Sequence, residues 1–276
     1  MERRGACVAF GSFEFVHRGH LKVAKKVVEL ANRHHLEAVI LSIPAKGEVF
    51  TTEKEKAYLF RKAGIEKIIT YEGKTALTNI VSYMKTNLQA ERVVVGEDFR
   101  ELEELYTLAK KFDIHVELVK KVCHDERVIT RAWLKEVFEA NDFELLEKIC
   151  GHPYVIIGDV VHGKKIGRTV GMPTINLHIY KTKRRPNCGV YATKVVLEDK
   201  TYLSATNIGR RPTVDDFEYV TIETFILDFN EQIYGEVCIL EVHKFLREVQ
   251  KFESLEEVHE QVQKDVVLVR EMFREV

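Results

Sequence analysis

Ala6-Cys-Val-Ala-Phe-Gly-Ser-Phe-Glu-Phe-Val-His-Arg-Gly-His20 is the stretch whose reading decides the fold of the first half of the chain. Ala6 to Phe10 is a short apolar run closed by Gly11, the pattern of a buried strand. From Gly19 to about Arg33, Leu21, Ala24, Val27, Val28 and Ala31 recur at helical spacing. Leu36 to Ile43 reads as a second buried strand, so the chain opens with a βαβ unit. His17 and His20 fall where the strand hands over to the helix. Two imidazoles there can donate hydrogen bonds to a polyphosphate, with the helix N-terminus adding positive potential. The plainer reading is a pair of surface histidines. A metal site has less behind it, because no third ligand is spaced nearby.

The alternation continues outward from this unit. Thr51 to Gly64 reads as a helix capped by Thr51 or Thr52. Lys67 to Tyr71 is a short strand, Leu77 to Leu88 a helix, Arg92 to Gly96 a strand, Leu102 to Phe112 a helix, and His115 to Lys121 a strand. Strands and helices in alternation imply a parallel, doubly wound sheet with helices on both faces. Trp133 to Cys150 reads as one or two helices closing this half.

Gly151-His-Pro-Tyr154 breaks the pattern. Strand-like runs then dominate: Tyr154 to Val161, Gly189 to Leu197, Lys200 to Asn207, Tyr219 to Phe225 and Val237 to Phe245. They predict an antiparallel, Greek-key-like barrel. Ser254-Leu-Glu-Glu257 has the form of a capping box, opening a last helix with a Leu255, Val258, Val262, Val266, Val269 stripe. The fold class is therefore α/β followed by β, with domains expected at residues 1–150 and 151–276.

The totals narrow the function. Forty-five per cent hydrophobic and 31 per cent charged residues make an ordinary packed protein. A formal net charge of -1 gives no broad electrostatic case for nucleic acid. The five cysteines are scattered without CxxC spacing, against a disulfide framework or zinc site and in keeping with a reducing cytoplasm. No apolar run reaches transmembrane length.

The second half carries Gly163-Lys-Lys-Ile-Gly-Arg-Thr-Val-Gly-Met-Pro-Thr-Ile-Asn176, a basic, glycine-rich loop ending in what reads as a rigid turn. Backbone N–H groups in such a loop can cradle phosphate, and Thr and Asn oxygens suit a hard cation. Downstream come Cys188-Gly-Val-Tyr191, Asn207-Ile-Gly-Arg-Arg-Pro-Thr213, Ile222 to Phe229, Ile233-Tyr-Gly235 and Phe245 to Phe252. This succession resembles the riboflavin kinase domain of the bacterial bifunctional riboflavin kinase/FAD synthetases, from Tyr154 to about Asp265. The resemblance implies transfer of the ATP γ-phosphoryl to the riboflavin 5′-hydroxyl, making FMN, with Mg²⁺. It implies Glu223 as catalytic base and Thr174 and Asn176 as metal ligands. It assigns Gly163, Lys165, Gly167, Arg168 and Gly171 to the nucleotide loop, and Arg247 and Glu248 to the segment enclosing the flavin.

The same family has an N-terminal FMN adenylyltransferase half, and His17-Arg-Gly-His20 resembles its HxGH motif. There the histidines stabilise charge at the ATP α-phosphate as FMN attacks and pyrophosphate leaves, which is electrostatic catalysis. The chain departs from the family at Glu14-Phe15, where Asp-Gly is usual, and at Thr130-Arg-Ala-Trp-Leu-Lys135, aligned with a Ser-Ser-Thr-Arg-Ile-Arg motif that holds the triphosphate. In that register Trp133 replaces an arginine, and Arg131 falls out of use. Losing two or three charge-assisted hydrogen bonds, roughly 1.5–3 kcal/mol each, slows the reaction about a thousandfold or more. The expectation is a riboflavin kinase with a weak or lost adenylyltransferase. The alternatives are a fully bifunctional enzyme, or an N-terminal half that binds nucleotide or flavin as a regulatory module. The partners expected are riboflavin, ATP and FMN, with no nucleic acid and no membrane.

Overall fold

The computed structural model describes residues 5–162, 173–198, 200–211 and 219–274. Its contacts divide the chain into two units, residues 1–131 with 149–151, and residues 132–148 with 152–276.

The first unit is an all-parallel sheet with helical crossovers. Its strands are β1 (Ala6–Gly11), β2 (Glu37–Ser42), β3 (Lys67–Thr70), β4 (Ala90–Gly96) and β5 (His115–Val119). They lie in the order β3-β2-β1-β4-β5. Central β1 is the most apolar strand, and Ala6, Cys7, Val8 and Ala9 are fully buried. Strand order reverses between β1 and β4, so the crevice beyond their carboxyl ends is where this architecture binds ligands. Helix α1 (Arg18–His34) leaves that crevice and buries Val23, Ala24, Val27, Leu30 and Ala31. Helix α2 (Glu53–Lys62) starts at Thr52, whose hydroxyl and the Glu55 carboxylate form a reciprocal capping box. Helices α3 (Leu77–Leu88) and α4 (Leu102–Lys111) complete the layers. After β5 comes a hairpin of two-residue strands, β6 (Cys123–His124) and β7 (Arg127–Val128). The sequence reading missed it because strands that short carry no periodicity.

The second unit is a closed barrel of six antiparallel strands: β8 (Tyr154–Val161), β9 (Thr174–Ile179), β10 (Gly189–Leu197), β11 (Lys200–Arg211), β12 (Tyr219–Ile226) and β13 (Val237–Arg247). The order β10-β11-β12-β9-β8-β13 returns to β10, so β12 pairs with β9 rather than with its successor. On the inward face, the hydroxyls of Thr193, Ser204, Thr206 and Thr224, all fully buried, link in a chain at 2.7–2.9 Å. Each satisfies its neighbour, which is the condition for burying polar groups. Side chains alternate along a strand, so Ala192 and Ala205 face outward, where Val266 and Val269 of helix α7 (Leu255–Met272) cover them.

Helices α5 (Arg131–Glu139) and α6 (Phe143–Cys150) are the helices expected over 133–150. The division at residue 150 follows the change of sequence pattern; the contacts group 132–148 with the barrel. Phe138 sits 4.9 Å from the Tyr154 ring and Phe143 5.5 Å from Tyr191. Asn141 Oδ1 accepts from Asn187 and from the Tyr191 hydroxyl.

Three local expectations change. Thr174 to Asn176 do not form a turn but begin β9, because Thr-Ile-Asn-Leu-His-Ile alternates and Pro173 stands just before the strand, where its missing donor costs no ladder bond. The Ser254 hydroxyl caps α7 as expected, but the Glu257 carboxylate reaches back to the Glu253 N–H instead of completing the box. Leu255 is exposed, so the buried stripe of α7 starts later than the spacing predicts.

Candidate active sites

In the first unit the crevice is a cavity of about 540 Å³. The turn from β1 supplies His17 and His20, the end of β4 leads to Arg100, and the chain after β5 brings Lys120, Lys121 and Arg131. His17 is the N-cap of α1, and its Nδ1 accepts the Gly19 N–H at 3.0 Å. In the neutral ring the remaining proton is therefore on Nε2, a donor for a ligand. A Cβ at Gly19 would come within 2.8 Å of the His17 ring, so any larger residue here would displace that ring from its cap. His20 stacks on His17 with ring centroids 3.8 Å apart, and its Nδ1 lies 3.2 Å from the Phe15 carbonyl oxygen. Burial first, and then the His17 ring, hold His20 well below the usual imidazole range. The turn is set by Phe13, which adopts φ 43 while its ring meets His20 at 5.2 Å and Phe60 at 5.0 Å. Next to it, buried Glu14 receives the Arg131 guanidinium, with Nη2 to Oε1 at 2.6 Å.

In the second unit the candidate residues line up across strands. Asn176 of β9 is directly opposite Glu223 of β12, and Glu223 is opposite Asn207 of β11. Asn207 is opposite Val190, which in turn pairs with Arg247 at the end of β13. The row lies on the outward face, the face that α7 covers further along at Ala205 and Phe225. Thr174, two residues before Asn176, shares that face. Thr174, Asn176, Asn207 and Glu223 are all half-buried, so solvent or ligand reaches them. Arg247 is held by buried Asp265 of α7 through two bonds, 2.9 Å from Nε and 2.7 Å from Nη2. Gln261 also donates to Asp265.

Comparison with known proteins separates along the same two halves. Residues 150–273 match the riboflavin kinase family model and residues 1–132 match the FAD synthetase family model. The chain belongs to the bifunctional riboflavin kinase/FAD synthetase family. The bifunctional riboflavin kinase/FMN adenylyltransferase of Haemophilus influenzae is 28% identical, over 98% of this chain and 95% of that protein. The protein of the same description from Listeria monocytogenes is 28% identical over 96% of this chain and 92% of its own length. A crystal structure titled as a macrolide-efflux protein from Streptococcus pneumoniae superposes with a TM-score of 0.79 at 22% identity, covering 98% of this chain and 95% of that one. At that identity the likeness speaks for the fold.

One residue that the sequence register set aside lies at the cavity. Thr130 and Arg131 line the histidine cavity, whereas Lys135 pairs with Glu139 at 3.6 Å and Trp133 is buried. A short turn after β7 thus brings Arg131, which the sequence register set aside, to the cavity. Gly163, Lys165, Gly167, Arg168 and Gly171 lie outside the described residues. Glu248 follows Arg247 past the end of β13, and its carbonyl accepts from Arg247 Nη1 at 3.0 Å. Sequence reading assigned no role to Glu14, Asn207 or Asp265. Glu14 and Asp265 find their arginines 117 and 18 residues away, distances that no spacing rule covers. Asn207 was legible in part, as an amide in a matched block. Among the described residues no helix is long and apolar enough to cross a membrane.

Proposed function

We propose that this chain is a bifunctional flavin enzyme, a riboflavin kinase in its C-terminal barrel and an FMN adenylyltransferase in its N-terminal sheet domain. The observation that carries the second activity is the guanidinium of Arg131 in the cavity that also holds His17 and His20. The sequence alone pointed to an adenylyltransferase stripped of its arginine; a cavity with two imidazoles, Arg100, Arg131 and two lysines supports turnover instead. In this reading an FMN phosphate oxygen attacks the ATP α-phosphorus and pyrophosphate leaves. The His17 Nε2–H and the Arg131 N–H groups donate to the charge that develops.

For the kinase, Glu223 accepts the 5′-hydroxyl proton of riboflavin as that oxygen attacks the γ-phosphorus and ADP departs. Asn176, directly opposite, and Thr174 present neutral hard oxygens on the same face. They fit Mg²⁺, which keeps several waters and takes few protein ligands beside substrate phosphates. When bound, the ion neutralises charge on the transferring phosphate. Arg247, its N–H groups already committed to Asp265 and to the Glu248 carbonyl, offers the flavin its flat face. The glycine-rich loop, residues 163–171, is assigned to the nucleotide from its sequence. Reducing, cytoplasmic surroundings suit both substrates.

The reading that the N-terminal half binds without turnover keeps one observation in its favour: only Thr130 and Arg131 of the six residues from Thr130 to Lys135 line the cavity. The product profile from riboflavin and ATP-Mg²⁺ separates the two. FMN followed by FAD is expected. FMN alone, with added FMN also left unconverted, reduces the protein to a kinase, and no FMN at all removes the kinase assignment.

A further inference from the structure

We propose that Glu14 is a positioning residue of the N-terminal site, holding the Arg131 guanidinium at the histidine cavity ready for the polyphosphate of a nucleotide. The inference rests on reading that cavity as the adenylyltransferase site. Its test is chosen so that the two can fail separately.

The geometry is unequal between the partners. The Glu14 side chain is 7% exposed and the Arg131 side chain 67% exposed, yet Nη2 and Oε1 are 2.6 Å apart. A carboxylate that far from water needs a partner, so the pair is fixed from the Glu14 end. An arginine that exposed would otherwise sample many rotamers and lose that freedom on binding a ligand. The buried carboxylate removes it beforehand. A guanidinium has five N–H donors in a planar fork, and a contact through one nitrogen leaves the others for a phosphate.

The backbone is arranged for this contact. Phe13 adopts a left-handed φ of 43, uncommon for a large residue, and its ring is wedged against His20 and Phe60. That conformation sends Glu14 inward immediately before the two histidines. Strain that the surroundings over-determine in this way is typical of functional turns. Glu14 stands where the resemblance leads one to expect aspartate, and the structure places it in contact with Arg131. A carboxylate one methylene longer than the usual aspartate reaches the arginine that begins α5.

The test uses the full-length protein and inorganic pyrophosphate as probe. Its binding is followed by the fluorescence of Trp133, the chain's single tryptophan, two residues beyond Arg131. E14Q and Arg131→Ala should each weaken pyrophosphate binding about tenfold, and the double variant should be no weaker than Arg131→Ala alone, because Glu14 acts through the arginine. Glu14→Asp should recover part of the loss. In steady state E14Q should raise KM for ATP about tenfold with KM for FMN within about twofold, a split that general destabilisation does not produce. A far-UV circular dichroism spectrum and thermal melt matching wild type serve as the check that the N-terminal unit of each variant is folded. Wild-type pyrophosphate affinity in E14Q, additive losses in the double variant, or no binding to the wild type would overturn the proposal. Intact, Glu14-dependent pyrophosphate binding with no FAD formed would leave it standing and sink the adenylyltransferase reading.

Discussion

The two candidate sites are built on opposite plans. The N-terminal cavity gathers residues from three separate segments around the ends of β1, β4 and β5, and fixes them by a strained turn, a helix cap and an ion pair. The barrel site is a row across consecutive strands, fixed by the hydrogen-bond ladder. A ladder sets the spacing of opposite side chains to within about an ångström whatever those side chains are. A loop-built cavity has no such guarantee and needs specific contacts for each donor. Substitutions near the barrel site should therefore act through the substituted group itself, while those in the cavity propagate to neighbours.

The largest expected effect tests where the barrel unit begins. A fragment from residue 152 lacks α5 and α6, and with them Phe138, Phe143 and Leu146, each at most 2% exposed. At ~1.5–3 kcal/mol per buried side chain, that loss is comparable to the whole stability of a small domain. The 152–276 fragment should be insoluble or molten, whereas 132–276 should melt cooperatively and make FMN. Equal melting temperatures for the two would dismiss the helices as part of the unit.

Next comes the chemistry of the row. E223Q should lower kcat for FMN formation by about 10²–10⁴ while riboflavin affinity holds. FAD formation from supplied FMN should stay within about twofold of wild type, since the other site is separate. A parallel loss of both activities would contradict two independent sites. The mirror experiment is His17→Asn, which keeps a good N-cap but removes the Nε2–H donor. It should cut FAD formation by about 10²–10³ and spare the kinase.

A smaller effect follows from His20. Its pKa is depressed in the folded state, so as pH falls below 6.5 the unfolded chain takes up the proton first. The stability from keeping His20 neutral is present above the ordinary imidazole value and lost below it, by at most about 1.4 kcal/mol per pH unit. Thermal melts of the full chain from pH 7.5 to 5.5 should show this slope, and His20→Gln should flatten it. A variant with the wild-type slope would show that other groups carry the pH dependence. Smallest of all should be Arg270→Ala, which removes an exposed pair with Asp228 at 2.9 Å and no part of either site. A change of under about 1 kcal/mol in stability and none in either rate is expected. A rate change would reveal that α7 couples to the row beyond its packing.

Much of this protein was written in its sequence. Apolar runs and helical spacing determined the doubly wound half, because a buried parallel strand and an amphipathic helix must carry those periods to hide their apolar faces. The HxGH turn and the kinase blocks pointed to the residues of both sites, since glycines, hydroxyls and imidazoles at fixed short spacing reflect local backbone geometry. What only the tertiary structure decided was partnership across long separations. β9 was hidden because its six residues follow a proline and are only partly buried. The row of Asn176, Glu223 and Asn207 exists only through strand register. Arg131 seemed to fall outside the site until the turn after β7 brought it to Glu14. Local sequence dictates local dihedral angles and periodicity, but a contact over a hundred residues apart depends on how the whole sheet is assembled.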